Sequence, residues 1–178
     1  MRKYLPLFVY PPIVILLDQI SKYWIVQHIP IGQARPVLPG LFDLVHFRNR
    51  GVAFSMLDDL SANGHEWFFH VVTIAAIAAL FAIYSKTKED ERKMQVPLAI
   101  IFGGAIGNFI DRLTRGEVVD FLYFHWYHRI AEFDLLGRHF RFYLAWPAFN
   151  VADTAITCGA LYLVSRVLFG PKEKTAAG

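Results

Sequence analysis

The sequence predicts an all-α membrane protein: a four-transmembrane-helix bundle with a small extracytoplasmic β element and an interfacial loop or helix between spans three and four. Three observations carry this. Of 178 residues, 55% are hydrophobic and the mean hydropathy is +0.35, a membrane-protein composition. Four stretches, residues 5–29, 67–85, 96–112 and 146–169, approach the ~20 apolar residues needed to cross a hydrocarbon layer of about 30 Å. Charged and amide side chains within them gather toward one end, so residues 1–178 read as a single membrane domain whose bilayer-embedded helices converge on one polar pocket.

Taken in order, span one follows Arg2 and Lys3, but a small-residue cleavage site is missing and Tyr23–Trp24–Ile25–Val26 continues the apolar run. It is expected to stay as a span rather than leave as a signal peptide. The next segment, about 36–57, holds Phe42, Leu44 and Val45 around Asp43 and His46, leads into Phe47–Arg48–Asn49–Arg50–Gly51, and is punctuated by Pro36, Pro39 and Gly40. A short strand and turn are expected there, with Phe54, Met56 and Leu57 dipping toward lipid. Span two carries only His70 and Thr73 as polar interior residues and reads as scaffold. Lys86 to Gln95 is too short to hold structure, which makes spans two and three antiparallel neighbours. The stretch 114–145 mixes aromatics with His and Arg and is expected to lie on or dip into the interface. The tail from Lys172 to Gly178 is expected to fray.

An even number of spans puts both termini on one side. Arg2, Lys3, Lys86, Lys88, Arg92, Lys93, Lys172 and Lys174 crowd short segments on that side, which the positive-inside rule makes cytoplasmic. Arg35, Arg48, Arg50, Arg115, Arg129, Arg138 and Arg141 are spread through the longer opposite loops. The net charge of +3 and pI near 9.0 come mainly from the cytoplasmic rims, so no nucleic-acid partner is expected. Cys158 is the single cysteine, forms no internal disulfide, and reads as a small apolar helix residue.

A charge at mid-helix opposes insertion by ~2.5–3.5 kcal/mol, so Asp18, Lys22, Asp111, Arg112 and Asp153 need partners, water or a use. Direction of travel puts all of them toward the outer side. Asp18 and Lys22 are four apart, as are Asn108 and Arg112, and Asn150 and Asp153 are three apart, so each pair shares a helix face. Gly103 and Gly107 have the spacing that lets helix backbones approach closely; Gly104 either packs in the same way or leaves space for a substrate beside Asn108.

The chemistry narrows by elimination. His125 and His128 find no third His or Cys, and His65–Glu66 lacks a second His, so neither metal nor other cofactor is expected. Ser21 and Lys22 are adjacent and point about 100° apart on a helix, a poor dyad. No glycine-rich phosphate loop is present. Carboxylate chemistry remains. Asp120, just beyond span three, and Asp153, opening span four, can share one proton, one acid activating water while the other donates.

Five strings now stand in order: Asp18-Gln19-Ile20-Ser21-Lys22, Asn49-Arg50-Gly51-Val52-Ala53-Phe54-Ser55, Gly103-Gly104-Ala105-Ile106-Gly107-Asn108-Phe109-Ile110-Asp111-Arg112, Val118-Val119-Asp120-Phe121 and Phe149-Asn150-Val151-Ala152-Asp153. Together they resemble the bacterial signal peptidase II family of intramembrane aspartyl proteases over nearly the whole chain. The resemblance implies a catalytic dyad of Asp120 and Asp153, with Asp18, Lys22, Asn49, Gly104, Asn108, Arg112 and Asn150 shaping or steadying the site. It implies a multi-pass protein of the bacterial inner membrane with cytoplasmic termini, an extracytoplasmic β cradle, and an active site on that outer side. The expected substrate is a diacylglyceryl-modified prolipoprotein cut just before the lipidated cysteine, with membrane lipid as the other partner, a monomeric enzyme, and inhibition by globomycin-type compounds. One departure stands out: the family usually has a shorter connection between Asp120 and Asn150, and Phe124 to Tyr143 reads as an insertion, expected to extend an interfacial flap over the substrate's lipid. The alternative is a small ion- or proton-coupled transporter, whose sites belong near the midplane at repeat-related broken helices.

Overall fold

Proline in the first turn and an apolar run from Leu5 to Leu17 suit a helix in the first span, and the computed structural model, which describes residues 2–50 and 66–170, shows α1 over Leu5–His28. Three further helices follow: α2 (Glu66–Lys86), α3 (Arg92–Arg115) and α4 (Val151–Phe169). All four are long and apolar enough to cross a membrane. Expectations resting on Gly51 to Ser55, on Met56, Leu57 and His65, and on the tail from Lys172 lie outside the described residues.

The helix ends differ from the hydropathy reading for local reasons. α3 runs beyond 96–112 at both ends because charged residues extend the helix past its apolar part, and it stops where Gly116 takes a left-handed φ of 76°. α4 begins at Val151 rather than 146. Trp146 to Phe149 stay extended, with Phe149 bridged to Leu122, and Asn150 caps the helix with Asp153 in a reciprocal capping box.

α3 is central: half of its apolar window is buried, against 6% for α2, which faces outward over almost its whole length. Close approach makes this possible. A Cβ on Gly103 would lie 2.8 Å from Pro11 Cα of α1, one on Gly104 2.5 Å from Ala152 O of α4, and one on Gly107 2.8 Å from the Asp18 carboxylate. At the end that holds the N-terminus, Tyr84 Oη donates to Lys3 O (2.7 Å) and Arg92 Nη2 to Arg2 O (2.8 Å), above a small core of Tyr84, Leu98 and Ala99.

The all-α expectation is corrected: the protein is mixed α/β. The chain between helices builds a four-stranded antiparallel sheet in sequential order, β1 (Ala34–Leu38), β2 (Phe42–Asn49), β3 (Val118–Leu135) and β4 (Arg138–Ala145), to which the Phe149 bridge adds a short fifth pairing. The stretch expected as an interfacial loop or helix is therefore a long β-hairpin. Its sequence alternates, as in Arg138-His139-Phe140-Arg141-Phe142, a period of two that a helix cannot satisfy. Leu136 and Gly137 turn it with φ values of 52° and 77°, the signs a tight type I′ connection requires.

The sheet is rooted on α1. Ile25 and Ile29 pack with Val119 and Phe121 of β3, and His46 Nδ1 donates to Ile29 O (2.7 Å) while its Nε2 accepts from Arg48 Nε (3.1 Å), which fixes one neutral tautomer. Asp43 and His125 pair at 3.2 Å beneath the sheet. Asp120 is thereby held between two fully packed neighbours on a strand that does not slide.

Candidate active site

Lys22 is the centre from which the site is built. Fully buried, its ammonium lies 2.8 Å from Asp18, 2.9 Å from Asp111 and 3.0 Å from Asn108 Oδ1, three partners for its three protons. Each carboxylate then reaches onward. Asp18 Oδ1 accepts from Ala152 N at the start of α4 (2.9 Å), and Asp111 Oδ2 accepts from Val119 N (3.1 Å), the residue before Asp120. One buried cation thus ties α1 to the two segments that carry Asp120 and Asp153.

The second layer is made of amides. Asn108 Nδ2 donates to Asp153 Oδ1 (2.7 Å), Asn49 Nδ2 to Asp120 Oδ2 (2.9 Å), and Asn150 Nδ2 to Asp120 Oδ1 (2.8 Å). Asn150 also donates its backbone N–H to Asp153 Oδ2 (3.2 Å) and takes the Asp153 N–H on its Oδ1 (2.9 Å). Both acids of the pair are therefore bonded to one residue. Asn150 itself is fixed by Asn108 Oδ1 and Val119 O, at 3.2 and 3.3 Å.

Of the residues expected at the site, the structure brings Asp18, Lys22, Asn49, Asn108, Asp120, Asn150 and Asp153 into this single network. Arg112 stands beside it. Its guanidinium is close enough to feel Asp153, Asp120 and Asp111, yet its Nε is buried with no hydrogen-bond partner among the described residues. Gly104 sits against the α4 backbone, so of its two readings the geometry is that of a packing glycine. A methyl group there meets backbone rather than a movable side chain: Gly104→Ala should lower the unfolding stability in detergent by about 1–3 kcal/mol, read from the thermal midpoint.

Two contributors escaped the reading of the sequence as site residues. Gln19 donates to Gly107 O (3.2 Å) and Asp111 Oδ1 (3.1 Å), and Arg115 pairs with Asp111 on the same turn-to-turn face. The signal was present: a second polar residue beside Asp18, and a basic residue four places after Asp111.

The electrostatics separate Asp120 from an ordinary acid. Burial away from water pushes its carboxyl up to about 6 and the Asp153 charge pushes in the same direction, against the hydrogen bonds from Asn49 and Asn150. A carboxyl near that value can hold a proton close to neutral pH and release it to a substrate.

Comparison with known proteins agrees with this arrangement. The family model described as Signal peptidase (SPase) II matches residues 12–169. A lipoprotein signal peptidase of Syntrophus aciditrophicus is 36% identical over 176 residues, covering 98% of this chain and all of the relative. One of Listeria welshimeri is 38% identical over 160 residues, covering 90% and 91% of the two chains. A solved structure described as a bacterial membrane enzyme, determined by the in meso method at 1.9 Å resolution, superposes with a TM-score of 0.71 at 31% identity, over 93% of this chain and 94% of the other.

Proposed function

The chain belongs to the signal peptidase II family of multi-pass bacterial membrane enzymes, aspartic peptidases with lipoprotein signal peptidase activity that process prolipoproteins, and from that premise we propose that Asp120 and Asp153 are its catalytic pair. The observation that carries the proposal is the shared bonding to Asn150, which keeps the buried Asp120 carboxyl and the half-buried Asp153 carboxyl of adjoining segments in one register. Membership of a peptidase family displaces the transporter reading.

In the proposed reaction Asp153, accepting from Asn108 and from the start of α4, takes a proton from water as the water oxygen attacks the scissile carbonyl carbon. Asp120 gives its proton to the carbonyl oxygen. The tetrahedral diol then collapses: the C–N bond breaks, the proton held on Asp153 passes to the leaving amine, and one diol hydroxyl returns its proton to Asp120, which restores the starting pair. Arg112 has an unpaired donor beside both acids and is proposed to hold a substrate carbonyl. We take the substrate to be a prolipoprotein already carrying diacylglycerol on the cysteine after the cut, because a lipidated residue is held at the bilayer surface where the helix ends meet the sheet. The density of basic residues near the termini supports cytoplasmic termini, an extracytoplasmic site, and residence in the inner membrane. The whole chain is proposed to act as a single membrane domain and as a monomer.

The pH dependence follows from Asp120. Its folded-state value of about 6 stands above the ordinary 3.8, so the folded chain binds this proton more tightly than the unfolded one. Stability from this group is fully present below about 4 and is lost as pH rises through about 6, on the order of 3 kcal/mol in all. Activity needs the same proton: kcat/KM should show an alkaline limb near pH 6, and the limb in kcat should lie higher because bound substrate excludes more water. Asn49→Leu removes a donor that favours the charged form, so its limb should move up by about half a unit to one unit. A limb that stays in place or moves down would separate Asp120 from the proton that matters.

A further inference from the structure

The β3–β4 hairpin is amphipathic in a way that the catalytic reading does not use. Residues paired across an antiparallel ladder share a face, and the register assigns the two faces without ambiguity. Toward the tip, Glu132 opposite Arg141 and Asp134 opposite His139 form one face, joined by ion pairs of 3.0 and 2.9 Å, with Ile130 opposite Tyr143 on the same face nearer the base. Ala131 opposite Phe142, Phe133 opposite Phe140, and Leu135 opposite Arg138 form the other. There the rings of Phe133 and Phe140 stack at 5.2 Å, and Phe133 meets Phe142 edge-on at 5.9 Å. Among the described residues this cluster is left open, and Phe133, Phe140 and Phe142 are each 40–48% exposed.

The tip is the more telling part. Leu136 occupies a position with φ of 52°, where Asn or Gly is at ease and a branched aliphatic residue is strained, and it is 96% exposed. A large apolar side chain kept at a costly backbone position and turned out of the protein is at home in hydrocarbon, not in water.

The apolar face is continuous with the surface that already meets lipid. Near the base of the hairpin Phe142 and Leu144 line a groove of about 590 Å³ shared with Leu38, Phe42, Phe124 and Trp146, and Trp146 lies just before the membrane-spanning α4. Both ends of the hairpin segment join spans, α3 before it and α4 after it. Arg138, paired with Leu135 at the tip, suits the phosphate layer, since an arginine stem can lie among apolar chains while its head meets a headgroup.

We propose that the hairpin lies on the bilayer as a surface anchor, with Phe133, Leu135, Leu136, Phe140 and Phe142 seated among phospholipid acyl chains of the leaflet at the catalytic end of the bundle, and with Glu132, Asp134, His139 and Arg141 in water. The occupant of the apolar face is membrane phospholipid, present before any substrate arrives.

Single cysteines read this directly. In a Cys158→Ala background, Leu136→Cys and Phe140→Cys report one face and His139→Cys the other, each labelled with an environment-sensitive fluorophore in phosphatidylcholine–phosphatidylglycerol nanodiscs holding one enzyme apiece. Retained prolipoprotein cleavage by each labelled protein shows that it is folded. Spin-labelled lipid should quench positions 136 and 140 at least threefold more than 139, and aqueous iodide should show the reverse order. Leu136→Asn relieves the turn, so the hairpin should persist while lipid quenching at a label on Leu135→Cys falls by about half. Equal iodide quenching on both faces overturns the proposal. Lipid quenching that appears only after diacylglyceryl-modified substrate is added overturns it in favour of a flap on the substrate, and iodide protection that needs two enzymes per disc overturns it in favour of a second copy.

Discussion

Asp120→Asn and Asp153→Asn should each insert and fold as the parent does and each lose cleavage of a diacylglyceryl-modified prolipoprotein by about 10³-fold or more. General acid–base catalysis by one group is worth ~10²–10⁴, and neither acid has a substitute within the network. Asn108 and Asn150 are amides that cannot take up a proton, and Asp18 and Asp111 are committed to Lys22. Because the reaction draws on carboxyl groups and water alone, EDTA should leave the parent rate unchanged. Product measured by mass spectrometry on purified protein in bilayers decides it. A variant that keeps a tenth of the parent rate would remove that residue from the chemistry.

The largest effect on the fold is expected from Lys22→Met. The side-chain volume is nearly kept, but in a place closed to water Asp18 loses its Lys22 partner and Asp111 keeps only Arg115. Removing one partner of a buried ion pair costs about 3–5 kcal/mol, enough to unfold a marginal membrane protein or to neutralise one of the acids. The triple variant Asp18→Asn, Lys22→Met, Asp111→Asn removes all three charges together and should recover most of the thermal stability in detergent. It should not recover activity, since Ala152 N and Val119 N would lose the charged acceptors that hold the two dyad segments. Recovery of both would make the network a matter of folding alone.

Much of this was legible in the sequence because a membrane makes polar residues conspicuous. Asp18, Lys22, Asn108, Asn150 and Asp153 stand out where neighbours are apolar, and spacings of three and four place them on common faces before any coordinates exist. The sheet was harder to read. In 114–145 the aromatic content suggested an interfacial segment and hid the alternation in Arg138 to Phe142, while Leu136-Gly137 is not among the dipeptides that announce a tight hairpin. The start of α4 was misplaced for a related reason: hydropathy counts Trp146, Pro147, Ala148 and Phe149 as span, whereas the Asn150–Asp153 box sets the first helical turn. Gln19 was overlooked because its partners on α3 lie far along the chain, whereas Arg115 pairs with Asp111 at a local spacing of four that the reading passed over at the helix end.

The capping box at Asn150 ties the timing of biogenesis to catalysis. The bonds that begin the last helix also aim one acid and hold the other, so a newly made chain whose final crossing has not yet entered the membrane has no working centre to misdirect at its neighbours. On the proposed pair, a substitution that frays that first turn should cost cleavage before it unravels the bundle.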